Sequence, residues 1–115
     1  MNRDAAHSNG RSIFITGATG YIGGRLVPRL LEAGYCVRCL GRSRLKMLAR
    51  PWASLKGVEI VEGDENNTEE LSSHMEGCWA AYYLVHSMMA KGAAYARTDR
   101  DLALGFSKAA TRAGV

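Results

Sequence analysis

The chain has 115 residues, is 47% hydrophobic and 23% charged, and carries a formal net charge of +4. That composition fits one globular domain and excludes the low-hydrophobicity class of disordered chains. The longest apolar runs, at 13–15 and 79–85, fall well short of the roughly 20 residues that cross a bilayer, so no membrane span is expected.

Residues 1–10 are polar, lack the apolar run of a secretory signal, and read as a flexible tail ahead of a domain over 11–115. A cytoplasmic protein is expected on that basis. Ser12–Thr16 is a run of β-formers bounded by Gly10 and Gly17 and predicts a strand. Tyr21–Glu32, with Ile22, Leu26, Leu30 and Leu31 at helical spacing, predicts a helix. Pro28 removes one backbone donor close to the start of that helix, which predicts a small distortion and not a break. Ala33-Gly34 ends it, because glycine enters the left-handed region without steric cost.

The next strand is expected over 35–40. It contains Cys36 and Cys39, which resemble a C-x-x-C pair. Side chains three apart on a strand point to opposite faces, so these sulfurs can neither share a metal nor easily bridge, and three cysteines are too few for a disulfide framework. No metal site is expected. A basic helical stretch over 43–50 stops at Pro51, and a third strand, Val58–Glu62, follows the Lys56-Gly57 turn. Asn67, with Glu70 three residues on, fits the cap of a helix over Thr68–Met75 that Gly77 closes. Residues 79–85 are almost continuously apolar and predict a fourth strand buried on both faces. A long helix over 93–113 lines up Leu102, Phe106, Ala109, Ala110 and Ala113 on one side.

Strands alternating with helices at this spacing imply an α/β fold, a doubly wound parallel sheet of the Rossmann type with strand order 3-2-1-4. In that order the fourth strand is an edge, although its sequence is that of an interior strand. With a fifth strand expected where the chain reaches Gly114-Val115, the segment reads as the N-terminal part of an incomplete domain, or as one that leans on a partner. Its apolar edge invites self-association.

Gly17-Ala-Thr-Gly20-Tyr-Ile-Gly23 is a G-x-x-G-x-x-G pattern set between the first strand and the first helix. Gly17 allows the tight turn off the strand, Gly20 lets backbone approach a pyrophosphate, and Gly23 permits close packing of the helix. A helix N-terminus adds unpaired amides and partial positive charge. Gly17, Thr19, Gly20, Tyr21, Ile22 and Gly23 are therefore the candidate dinucleotide residues. The end of the second strand separates the two nicotinamide cofactors, because an acid there bonds the ribose 2′-hydroxyl of NAD and an arginine favours the 2′-phosphate of NADP. The sequence has Leu40-Gly41-Arg42-Ser43-Arg44, with no acid. Arg42, assisted by Ser43 and Arg44, predicts NADP over NAD.

Charge is segregated: residues 25–56 hold eight bases against Glu32 alone, and residues 59–76 hold seven acids and no Lys or Arg. That pattern is not the uniform basic face of a nucleic-acid binder, and the basic stretch over 42–56 has only Trp52 as an aromatic for stacking. No nucleic-acid partner is expected.

Thr16-Gly-Ala-Thr-Gly-Tyr-Ile-Gly-Gly24, Val37-Arg-Cys-Leu-Gly-Arg42, Gly63-Asp64 and Tyr82-Tyr-Leu-Val-His-Ser87 together resemble the atypical, NmrA-like branch of the extended short-chain dehydrogenase/reductases, over residues 11–115. The resemblance implies that Asp64 lies against the adenine. Glu65-Asn66-Asn67 departs from the apolar residue and second acid usual there. It also implies that Val85, His86 and Ser87 run beside the nicotinamide ribose. His86 reads either as a proton donor near a substrate or as a hydrogen-bonded structural histidine. The superfamily's Tyr-x-x-x-Lys dyad has no match: four residues after Tyr21, Tyr35, Tyr82, Tyr83 and Tyr95 stand Arg25, Cys39, His86, Ser87 and Asp99. The expected function is an NADP-dependent oxidoreductase whose catalytic residues and small-molecule substrate pocket lie beyond residue 115. The alternative is a non-catalytic NADP-binding sensor or scaffold module.

Overall fold

The structure, a computed structural model, describes residues 10–64, 67–84 and 92–115; in the last segment side chains are described from residue 100 onward, that of Leu102 excepted. The elements are β1 (Ser12–Thr16), α1 (Tyr21–Glu32), β2 (Cys36–Gly41), α2 (Arg44–Leu48), a 3₁₀ turn (Pro51–Ser54), β3 (Val58–Glu62), α3 (Thr68–Met75), β4 (Ala80–Tyr83) and α4 (Gly92–Ala113). The strands form one parallel sheet in the order β3-β2-β1-β4, the doubly wound order expected. Thr16 aligns with Leu40 and with Tyr83, and Gly41 aligns with Glu62. The segments leaving β1, β2 and β3 therefore start from one rim of the sheet.

The two-residue period of a strand gives the sheet two cores. Ile13 and Ile15 of β1 face Val27, Met47 and Trp52, with Val37 and Cys39 beside them. Phe14 points the other way, into Leu40, Leu71, Met75, Phe106 and Ala109. Thus α1, α2 and the 3₁₀ turn cover one face and α3 and α4 the other. Phe106 anchors α4, its ring centroid 6.3 Å from that of Phe14 and 5.1 Å from that of Tyr83. Burying one such ring contributes about 2 kcal/mol.

Local signals behave as the sequence predicts at most junctions. The Asn67 side chain accepts from the Glu70 N–H at 3.0 Å and caps α3. Gly34, at φ +94°, terminates α1, which runs through Pro28 unbroken. Three expectations need correction. The basic helix ends at Leu48 instead of Arg50, because Pro51 restarts the chain as a 3₁₀ turn that seats Trp52, 3% exposed, in the first core. The second strand is shifted by one residue, to Cys36–Gly41. The fourth strand is not buried on both faces: Ala80, Ala81 and Tyr83 are half-buried, and Tyr82 is exposed. Among the described residues β4 pairs with β1 alone, and an edge leaves one flank of each side chain in water.

Arg38 of β2 acquires a role that the sequence did not signal. One of its terminal nitrogens donates to the carbonyls of His74 and Glu76 at 2.6 and 2.8 Å, and its Nε donates to Glu59 at 2.9 Å. A cation at the carboxyl end of α3 complements the helix dipole.

Cys36 is exposed and Cys39 is buried, on opposite faces of β2 as the strand period requires. Burial pushes the Cys39 thiol up to about 12, because a thiolate there has no solvent to stabilise it. Alkylation at pH 8 is expected to modify Cys36 in the folded protein and to reach Cys39 only after denaturant is added, as mapped by peptide mass spectrometry. Equal labelling of both without denaturant contradicts the assigned faces.

Candidate nucleotide-binding site

The site is built on the turn from β1 into α1. Gly17 leaves the strand at φ +86°, a region where a side chain is strained, and its carbonyl accepts the Gly20 N–H at 3.1 Å. Gly20 is the N-cap of α1 and offers no side-chain cap, and the first helical turn holds no acid. The amides of that turn are therefore left for an external acceptor. Gly23 has the most constrained position: a Cβ there would lie 2.5 Å from Ala18 Cα and 2.6 Å from the Gly17 oxygen. Only a residue without a side chain lets the helix begin this close to the turn. Tyr21 and Ile22, by contrast, are 78% and 59% exposed and stand in solvent beside the helix start.

Among the described residues, two concavities open on this rim. One, of about 240 Å³, runs from Thr19 and Gly20 along Gly24 and Pro28 to Arg50 and Trp52. The other, of about 380 Å³, lies between Arg42, Glu62, Gly63 and Asp64. Across it Arg42 faces the Asp64 carboxylate at 3.6 Å, both side chains more than half exposed. The structure thus brings Arg42 and Asp64 together, at the ends of β2 and β3, as the sequence placed them. Ser43 caps α2, its hydroxyl accepting from the Lys46 N–H at 3.2 Å, which leaves the hydroxyl proton for a second partner. Arg44 turns away and donates to the Ile60 carbonyl. Val85, His86 and Ser87 lie outside the described residues.

Sequence reasoning missed Arg50, Trp52 and Glu62 as lining residues. The Pro51-Trp52 step after the basic helix is the signal that could have found the first two, since it halts the chain beside α1. Glu62 needed the β2–β3 register, which places it opposite Gly41.

The described turn fits a dinucleotide pyrophosphate: a cradle that a Cβ would fill, closed by an uncapped helix start on the carboxyl rim of a parallel sheet. Those features define the class of Rossmann-type dinucleotide-binding proteins. Within that class the chain belongs to the NmrA-like family, whose model matches residues 9–115, an NAD(P)-binding family of oxidoreductase type. It is 34% identical over 104 residues to the NmrA-like family domain-containing oxidoreductase himF of Aspergillus japonicus, covering 90% of this chain and 31% of himF. Among the solved structures that share the fold are two bacterial proteins. Pen from Bacillus thuringiensis superposes with a TM-score of 0.77 at 20% identity, over 92% of this chain and 35% of Pen. The Bordetella bronchiseptica enzyme WbmG, solved in complex with NAD, superposes with a TM-score of 0.70 at 21% identity, over 90% of this chain and 34% of WbmG. The chain therefore spans about a third of the length of these relatives.

Gly23→Ala is expected to destabilise the protein by about 2 kcal/mol or more, because the obstacles are backbone atoms of Gly17 and Ala18 that cannot rotate away. Urea unfolding followed by circular dichroism measures this; an unchanged midpoint would remove Gly23 as the residue that sets the start of α1.

Proposed function

We propose that residues 11–115 are the N-terminal, cofactor-holding part of an NADP-dependent oxidoreductase of the short-chain type, with the catalytic groups and the substrate pocket supplied by the rest of a longer protein. The observation that carries this reading is Arg42, set at the end of β2 with no acid of that strand beside it, on the rim that also carries the glycine turn. The chain's residues divide the work by chemistry. Amides at the start of α1, with Thr19 and Gly20 next to them, hold the pyrophosphate. The Arg42 guanidinium pairs with the 2′-phosphate, and the hydroxyl of Ser43 donates its remaining proton there. Asp64 lies against the adenine. Val85 and His86 line the nicotinamide ribose, a role that rests on their sequence positions. NADP bound in this way supplies or accepts a hydride.

The open flank of β4 has a place in the same reading. In the longer protein it receives the next strand of the sheet. In this segment alone it is an edge carrying Tyr82, 40% exposed, and such an edge pairs with another copy. The isolated segment is expected to elute from a sizing column larger than a monomer, and the full-length protein to lose that β4-driven association. A monomeric segment at tens of micromolar would count against the edge pairing.

Calorimetric titration of the full-length protein with NADPH and NADH, beside Arg42→Ala, tests the cofactor assignment. The variant is expected to weaken NADPH by about tenfold, as loss of a charge-assisted hydrogen bond does, and to leave NADH nearly unchanged. Equal losses for both would sink the phosphate role, and no binding of either to the unaltered protein would sink the cofactor reading itself.

A further inference from the structure

We propose that Asp64 sets the phosphate selectivity of this site by competing with the ligand for Arg42, and that Glu70 is the positioning residue that holds Asp64 in place. The proposal rests on the reading of Arg42 given above.

Asp64 is anchored from both sides of its own backbone. Its N–H donates to Glu70 Oε1 at 3.2 Å, and its carbonyl accepts the Asn67 N–H at 3.1 Å. Glu70 occupies the third position of α3, from which a capping carboxylate ordinarily reaches back to the N-cap amide. Here it reaches further, past Asn67 to Asp64. It can do so because residue 63 is glycine: a Cβ there would meet Glu70 Oε1 at 2.5 Å. The Gly63 N–H meanwhile donates to the Gly41 carbonyl at 2.9 Å, so the β2–β3 ladder runs on into this loop and carries Asp64 to the level of Arg42. The result is a carboxylate held 3.6 Å from the guanidinium by the main chain and by the first turn of α3.

The consequence is differential. A ribose 2′-hydroxyl entering the hollow is neutral and leaves the Arg42–Asp64 pair intact. A 2′-phosphate must draw Arg42 away from Asp64 and then sit beside the carboxylates of both Asp64 and Glu62. Asp64 therefore lowers the advantage that Arg42 confers on a phosphorylated ligand. Both partners are solvent-exposed, and exposed pairs of this kind shift equilibria by about two- to five-fold.

The test compares 2′,5′-ADP with 5′-AMP, which differ only in the 2′-phosphate, by calorimetry at low ionic strength on the full-length protein. Asp64→Asn keeps the size of the side chain and a carbonyl for the adenine amino group, and removes the charge. It is expected to raise the ratio of 2′,5′-ADP affinity to 5′-AMP affinity by about two- to five-fold, the adenine contribution being common to both ligands. Glu70→Ala is expected to move the ratio of the two affinities in the same direction, and Glu70→Gln, which retains an acceptor oxygen, to restore it. A purely structural Glu70 would change both ligands together. If Arg42→Ala weakens 2′,5′-ADP while Asp64→Asn leaves the ratio unchanged, the competition is overturned and the Arg42 assignment stands. If Arg42→Ala leaves 2′,5′-ADP unaffected, both fall.

Discussion

The start of α1 is fixed by a contact that only glycine can make. With a Cβ on residue 23 excluded by the Ala18 Cα and the Gly17 oxygen, the first helical turn lies directly on the turn that leaves β1. Four residues further on, Val27 is fully buried against the sheet, so the helix is held at its root and along its length. Its N-terminal amides are then aimed at the rim and not at another part of the protein. In the proposed reading, anion affinity at this end of the molecule follows from that geometry, because the donors are main-chain groups that cannot swing away. Gly17 and Gly20 shape the turn, but the close approach at Gly23 decides where the helix dipole points.

The remainder of the rim depends on how α3 is tied. Its carboxyl end is bound to β2 through Arg38, which donates to two terminal carbonyls. Its amino end is bound to the loop after β3 through Asn67 and Glu70. Between those ties Leu71 and Met75 are fully buried. A helix of eight residues is too short to persist by itself; this one persists because both ends and one face are held. The same ties that stabilise it also fix Asp64, so part of the site's geometry is a by-product of closing the second core.

How far the sequence could be read depends on the range of the interaction concerned. The bounds of β1, α1, β3 and α3 follow from neighbours in the chain: Gly17 and Gly34 at positive φ, the Asn67 cap, the Lys56-Gly57 turn. The strand order follows from alternation and handedness, and the places of Arg42 and Asp64 follow from that order. The errors lie where distant groups decide. Basic residues up to Arg50 are good helix formers, yet Trp52 finds a core position that a 3₁₀ turn reaches and a continued α-helix does not. A run of apolar residues over 79–85 says that a strand is there but not which flanks are covered. Arg44 stands two residues from Arg42 and looks equivalent in one dimension, and only the register of β3 presents it with the Ile60 carbonyl.

The segregation of charge along the chain has a structural origin that bears on ligand recognition. Bases fall on α1, on Arg38 of β2 and on the segment around α2, acids fall on β3 and α3, and parallel pairing sets Arg38 opposite Glu59 and Gly41 opposite Glu62. Two arginines of the same segment end in different situations. Arg38 is largely covered, its side chain 21% exposed, and is committed to backbone carbonyls as well as to Glu59. Arg42, at 60% exposed, faces Asp64 through water-accessible space. The first is a structural tie, and in the proposed reading the second exchanges one anion for another. Exchange in such an exposed place is screened by salt and is worth little per contact. In the proposed reading the bulk of dinucleotide affinity then comes from the main-chain amides of α1, with Arg42 and its acidic neighbours adjusting only which cofactor is preferred. That division separates binding, fixed by glycine geometry, from preference, set by a few surface charges.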